Sequence, residues 1–136
     1  MYFLIFKRNE PSLRLLNTIS HENAFTLDDS SLWSLARTTL QFLRWARARQ
    51  IDCVIDCELF SRFTALLAGL SGARHRVGFY KFTNEGLYRG EMLTKKVAFN
   101  PHIHIARNFL SLVHAVYADD REWPFAKIAV ETRERY

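Results

Sequence analysis

The spacing of apolar and polar positions changes several times along the chain, and each change marks an element. "YFLIF" at 2–6 is a continuous apolar run that stops at Lys7, Arg8 and Asn9. A short run of this kind predicts a buried strand. "PSLRLLNTI" at 11–19 opens on Pro11, a favoured first helical residue, and reads as a short helix. "NAFTL" at 23–27 reads as a second strand, after which Asp28, Asp29 and Ser30 offer N-caps for a long helix. Over about 31–50, Leu32, Leu35, Ala36, Thr39, Leu40, Leu43 and Ala46 form an apolar stripe at helical spacing.

The pattern then repeats. "DCVID" at 52–56 reads as a strand, expected at the centre of its sheet because Val54 and Ile55 are adjacent and apolar. "LFSRFTALLAGL" at 59–70 reads as a helix with Gly72 as its C-terminal cap. "HRVGF" at 75–79 and "KKVAF" at 95–99 read as further strands. Asn100 and Pro101 read as the cap and first residue of a last helix, whose stripe of Ile105, Phe109, Leu112, Val113 and Val116 runs to about Tyr117. Alternating strands and helices predict an α/β, Rossmann-like parallel sheet with flanking helices over residues 1–118. Residues 119–136 have little periodicity and read as a linker or tail.

The connection after "HRVGF" is longer than such a connection needs. It is filled with Lys81, Asn84, Glu85, Gly86, Tyr88, Arg89 and Gly90. Aromatic and polar side chains on a glycine-punctuated backbone suit a sugar or a polar head group; a surface excursion held by Phe82 and Leu87 is the other reading. In open α/β sheets ligands bind beyond the carboxyl ends of the strands. Lys7–Asn9, this connection and "DCELFSR" at 56–62 would converge there. Glu58 at a helix start is favoured by the helix dipole. Arg62 faces the positive end of that dipole and needs an offset, either from Glu58 one turn away or from an anionic ligand.

Composition sharpens this picture. Of 136 residues, 49% are apolar and 24% charged, the balance of a globular domain. The formal net charge of +5 favours phosphate-bearing partners or anionic lipid surfaces. "RWARAR" at 44–49 could meet either, although arginines in last helical turns also complement the dipole. Nucleic-acid binding is not expected, since no recognition motif accompanies the charge. The opening segment lacks the pattern of a signal peptide, and the chain reads as cytoplasmic. Cys53 and Cys57 lie about 13 Å apart if both are on one strand, too far for a disulfide, so free thiols are expected. His102 and His104 at a helix start do not share a face, so no metal site is expected. Nucleotide-binding glycine motifs are absent from the sequence.

Three blocks carry a resemblance: D-x-E-x-F-S-R-F from Asp56, L-S-G-A-x-x-R-V-G-F from Leu70 and E-G-L-Y-R-G from Glu85. Residues 2–118 resemble the N-terminal domain of glycosyltransferase family 9, the ADP-heptose:lipopolysaccharide heptosyltransferases and related proteins of bacterial surface glycan assembly. The resemblance implies one half of a GT-B fold, with an acceptor-side domain facing a donor domain across a cleft. It implies metal-independent, inverting transfer of a heptose-like sugar from a nucleotide donor such as ADP-heptose to a lipopolysaccharide or related acceptor, with no further cofactor. The family's base lies in a Gly-Asp loop after its first strand. This sequence starts in what resembles the second strand and stops at the linker, so no residue inherits the base role and the catalytic residue is unknown. The expectations are that this chain alone does not transfer sugar and takes the sugar nucleotide only with a second domain. It is also expected to touch the inner membrane peripherally and to self-associate through an exposed sheet edge. Candidate acceptor-binding residues are Glu58, Arg62, Tyr88 and Arg89. A stand-alone, non-catalytic binding or interaction module of the same fold is the alternative, and a basic nucleic-acid binder is the third reading.

Overall fold

A computed structural model describes residues 1–16, 19–59, 61–80 and 89–118. The chain divides into two compact units, Met1–Arg49 and Gln50–Tyr136.

The first unit runs β1 (Phe3–Phe6), α1 (Glu10–Leu16), β2 (Ala24–Leu27) and α2 (Leu32–Ala48). β1 and β2 pair in parallel, from Phe3 opposite Ala24 to Phe6 opposite Leu27. α2 packs on β2. Leu27, Phe42, Leu43 and Ala46 are buried, and the Phe25 ring sits 5.6 Å from that of Phe42 and 5.4 Å from that of Trp45. Ser31 caps α2, its Oγ accepting from the Ser34 N–H at 3.1 Å. The expected caps do other work. Asp28 accepts from the Ser30 N–H and pairs with Lys7, and Asp29 pairs with Arg8, so the two carboxylates pair with the residues that follow β1.

The second unit runs β3 (Cys53–Asp56), α3 (Arg62–Leu70), β4 (His75–Tyr80), β5 (Lys95–Ala98) and α4 (Ile105–Tyr117). Its three strands are parallel in the order β3-β4-β5. The middle strand is therefore β4, and β3, expected at the centre, is an outer strand of this sheet with Ile55 37% exposed. Adjacent residues in a strand point to opposite faces, so an adjacent apolar pair speaks to the two faces of a sheet and carries no information about neighbours on its edges. In β4, Val77, Gly78 and Phe79 are all buried. Val77, Phe79 and Val97 from the sheet close a core with Leu112 and Ala115 of α4. Burying a side chain of this size is worth about 1.5–3 kcal/mol, which is what seats α4 on the sheet.

α3 starts at Ser61, whose Oγ accepts from the Thr64 N–H at 3.2 Å, and ends before Gly72, which takes φ +88° as the expected helix-stopping glycine. α4 begins later than the Asn100-Pro101 pair implied. His104 is its cap, with Nδ1 accepting from the Ala106 N–H at 3.2 Å. The reason lies one turn into the helix. Asn108 is fully buried, and its amide grips the Asn100 backbone with two 2.9 Å bonds: Oδ1 accepts from the Asn100 N–H and Nδ2 donates to the Asn100 carbonyl. Both polar groups of that residue are thereby committed to α4, and residues 100–103 form a turn instead of a first helical turn. Among the described residues no helix is long and apolar enough to cross a membrane.

Candidate functional site

β3 ends at Asp56, β4 ends at Tyr80, and α3 begins at Arg62. All three lie at the carboxyl ends of the parallel strands, the side on which open α/β sheets bind ligands. What organises this end is Arg89. This residue returns from the long connection and is 3% exposed. Its guanidinium pairs with the Asp56 carboxylate, itself 6% exposed. The other donors go to main-chain carbonyls: Ser61 at 2.9 and 3.1 Å, Glu58 at 2.5 Å and Phe79 at 3.2 Å. Thr64 Oγ1 accepts a further bond at 3.0 Å. One planar cation thus ties β3, the β3–α3 turn, the first turn of α3 and β4 to the segment that follows the long connection. The rigid fork of arginine suits this; a lysine, with its compact ammonium, would not span the same acceptors.

Asp56 is fully engaged. Oδ2 takes Arg89, and Oδ1 accepts from the Glu58 N–H at 3.1 Å. Burial raises its pKa, opposed by the Arg89 charge and by hydrogen bonds from Glu58 and Thr64. Cys57 also has a raised pKa, first from burial of its thiol and then from the neighbouring Asp56 and Glu58 charges. Both cysteines are free thiols.

Of the expected acceptor-side residues, Glu58 and Arg62 are exposed and lie on the β3–α3 turn and at the first position of α3. Arg89 is placed with them, but inward: its donors are occupied by protein oxygens, so it shapes the turn from beneath. Tyr88 lies outside the described residues, as do Lys81, Phe82, Asn84, Glu85 and Leu87. A second polar group sits where β4 ends. Tyr80 donates its hydroxyl hydrogen bond to Glu91 Oε1 at 2.9 Å, Lys96 pairs with Glu91 Oε2, and the Lys96 ammonium stands 4.3 Å from the Tyr80 ring centre. Sequence reasoning missed this trio because Lys96 looked like the polar start of a strand; strand register, pairing Gly78 with Lys96 and Tyr80 with Ala98, brings it to Tyr80. It also missed Thr64, whose place in the first turn of α3 carries no sequence signal of its role. His104 is a helix cap, and among the described residues no three His, Cys, Asp or Glu side chains gather as metal ligands would.

The rim therefore combines an exposed carboxylate and an exposed guanidinium on a turn held rigid from below by a buried ion pair. Such a surface can hydrogen-bond hydroxyls and pair with a phosphate or carboxylate. Comparison of the chain with protein families, with curated proteins and with solved structures finds no match.

Proposed function

We propose that this chain forms the acceptor-side part of an inverting glycosyltransferase of the family 9 type. In this reading the complete activity moves a heptose-like sugar from a nucleotide donor such as ADP-heptose to a lipopolysaccharide or related surface-glycan acceptor in the cytoplasm. The observation that carries the reading is the Arg89–Asp56 pair. Two of the blocks on which the resemblance rests, D-x-E-x-F-S-R-F and E-G-L-Y-R-G, are separated in sequence yet joined by this pair at the ligand-binding end of the strands. Glu58 and Arg62 are then the groups presented to an acceptor: the carboxylate accepts from sugar hydroxyls, and the guanidinium pairs with an acidic sugar or a phosphate substituent. Catalytic base and nucleotide site are assigned to no residue of this chain.

The test is a heteronuclear NMR titration of the isotope-labelled chain with a lipopolysaccharide-core oligosaccharide. Shifts concentrated at residues 57–62 and 89–91, with affinity reduced about tenfold by Arg62→Ala as expected for loss of one charged hydrogen bond, would support the reading. No shifts at millimolar oligosaccharide, or shifts confined to other surfaces, would overturn it.

A further inference from the structure

α2 carries a second, exposed face. α2 buries Phe42, Leu43 and Ala46 on its inner side. On the opposite side Trp33, Arg37, Leu40, Arg44 and Arg47 follow one another at steps of four and three, which places them in a single line along the helix. All five are exposed, Trp33 to 87% and Leu40 to 57%. Leu32, beside Trp33, is 86% exposed. No acidic residue occurs anywhere from Leu32 to Ala48. The helix dipole accounts for arginines in the last turns. It does not account for Arg37 in the first half, nor for a tryptophan and a leucine left in water beside cations.

We propose that this face is a docking surface for an anionic lipid bilayer, with α2 lying in the plane of the interface. The chemistry matches on both counts. Tryptophan and leucine gain by entering the boundary between head groups and acyl chains, and arginines spread along the same line pair with lipid phosphates while their stems lie against the apolar layer. The 17 residues of α2 span about 25 Å, enough to set several side chains on the membrane at once. A polyanion such as duplex DNA would satisfy the arginines but has no use for Trp33 and Leu40 in line with them. This inference rests on α2 alone and is independent of the sugar-transfer reading.

The experiment is co-sedimentation of the full chain with vesicles of mixed phosphatidylglycerol and phosphatidylcholine, with vesicles of phosphatidylcholine alone, and a parallel titration with duplex DNA. Expected is partition to the anionic vesicles only, weakened by salt. Arg37→Gln with Arg44→Gln should lower it about 30-fold, given the contribution of each arginine near a charged membrane. Trp33→Ser with Leu40→Ser should lower it roughly tenfold or more, with far-ultraviolet circular dichroism unchanged. Should either double variant fail to fold, quenching of tryptophan fluorescence by brominated lipid in the wild type, diminished in Trp33→Phe, decides instead. Absence of partition to anionic vesicles overturns the proposal. So does partition indifferent to Trp33 and Leu40, or DNA binding tighter than vesicle binding, since both would mark a general polyanion surface.

Discussion

Replacing Arg89 with methionine tests whether this buried cation holds the rim. The side chain is of similar length and apolar, so the substitution removes charge and donors without opening a large cavity. It strips the buried Asp56 carboxylate of its counter-charge and takes a donor from the Ser61, Glu58 and Phe79 carbonyls. Removing one partner of a buried ion pair costs about 3–5 kcal/mol. The lost carbonyl bonds overlap with that figure and should not be added to it. Against a total domain stability of about 5–15 kcal/mol and a urea dependence of about 1–3 kcal/mol per molar, the unfolding midpoint should fall by about 2 M.

The deficit should also depend on pH, with a definite sign. In the wild type, burial already raises the Asp56 pKa and Arg89 opposes that rise. Without Arg89 the folded-state value moves further above that of the unfolded chain. The folded variant then binds more protons than its unfolded form through this window, so its stability falls as pH rises through it. The gap between Arg89→Met and wild type should therefore be widest near neutrality and narrow in mildly acidic buffer, where Asp56 protonates. Asp56→Asn combined with Arg89→Met should be more stable than the sum of the single effects allows. Urea titrations followed by circular dichroism at two pH values supply all of these quantities. A loss below about 0.5 kcal/mol at neutral pH, the size of an ordinary surface substitution, would show that Arg89 does not hold the turn.

Two further outcomes can be checked directly. Cys57 is exposed but its thiol pKa is raised by burial of the group and by Asp56 and Glu58, so at pH 7.5 iodoacetamide should modify it several-fold more slowly than an unstructured cysteine peptide; Glu58→Gln should speed the reaction, and a rate equal to the peptide's would refute the electrostatic picture. Asn108→Asp keeps the shape but leaves the Asn100 carbonyl without its donor, so it should cost about 2 kcal/mol in thermal or urea unfolding; a neutral result would mean that the clamp does not set the start of α4.

Much of the element order could be read along the chain because it depends on local periodicity. The presence of α2, the alternation of strands and helices, and the glycine that stops α3 follow from side-chain spacing and backbone freedom, which neighbouring residues settle among themselves; the buried face of α2 does not, since Leu32, Ala36 and Leu40 of the expected stripe are exposed and Phe42, outside it, is buried. The positions of Glu58 on the β3–α3 turn and of Arg62 in the first turn of α3 follow in the same way. What local pattern could not supply was anything requiring two distant segments to meet. The rank of β3 in its sheet depends on which strands pair, and an apolar dipeptide carries no such information. The start of α4 depends on Asn108 reaching back to Asn100, a bond that exists only once the helix is seated on the sheet. Arg89 shows the limit most clearly. By composition an arginine in a polar, glycine-bearing connection belongs in solvent; only tertiary structure sets it over the end of β3, where one buried carboxylate and three main-chain carbonyls make burial of its charge tolerable.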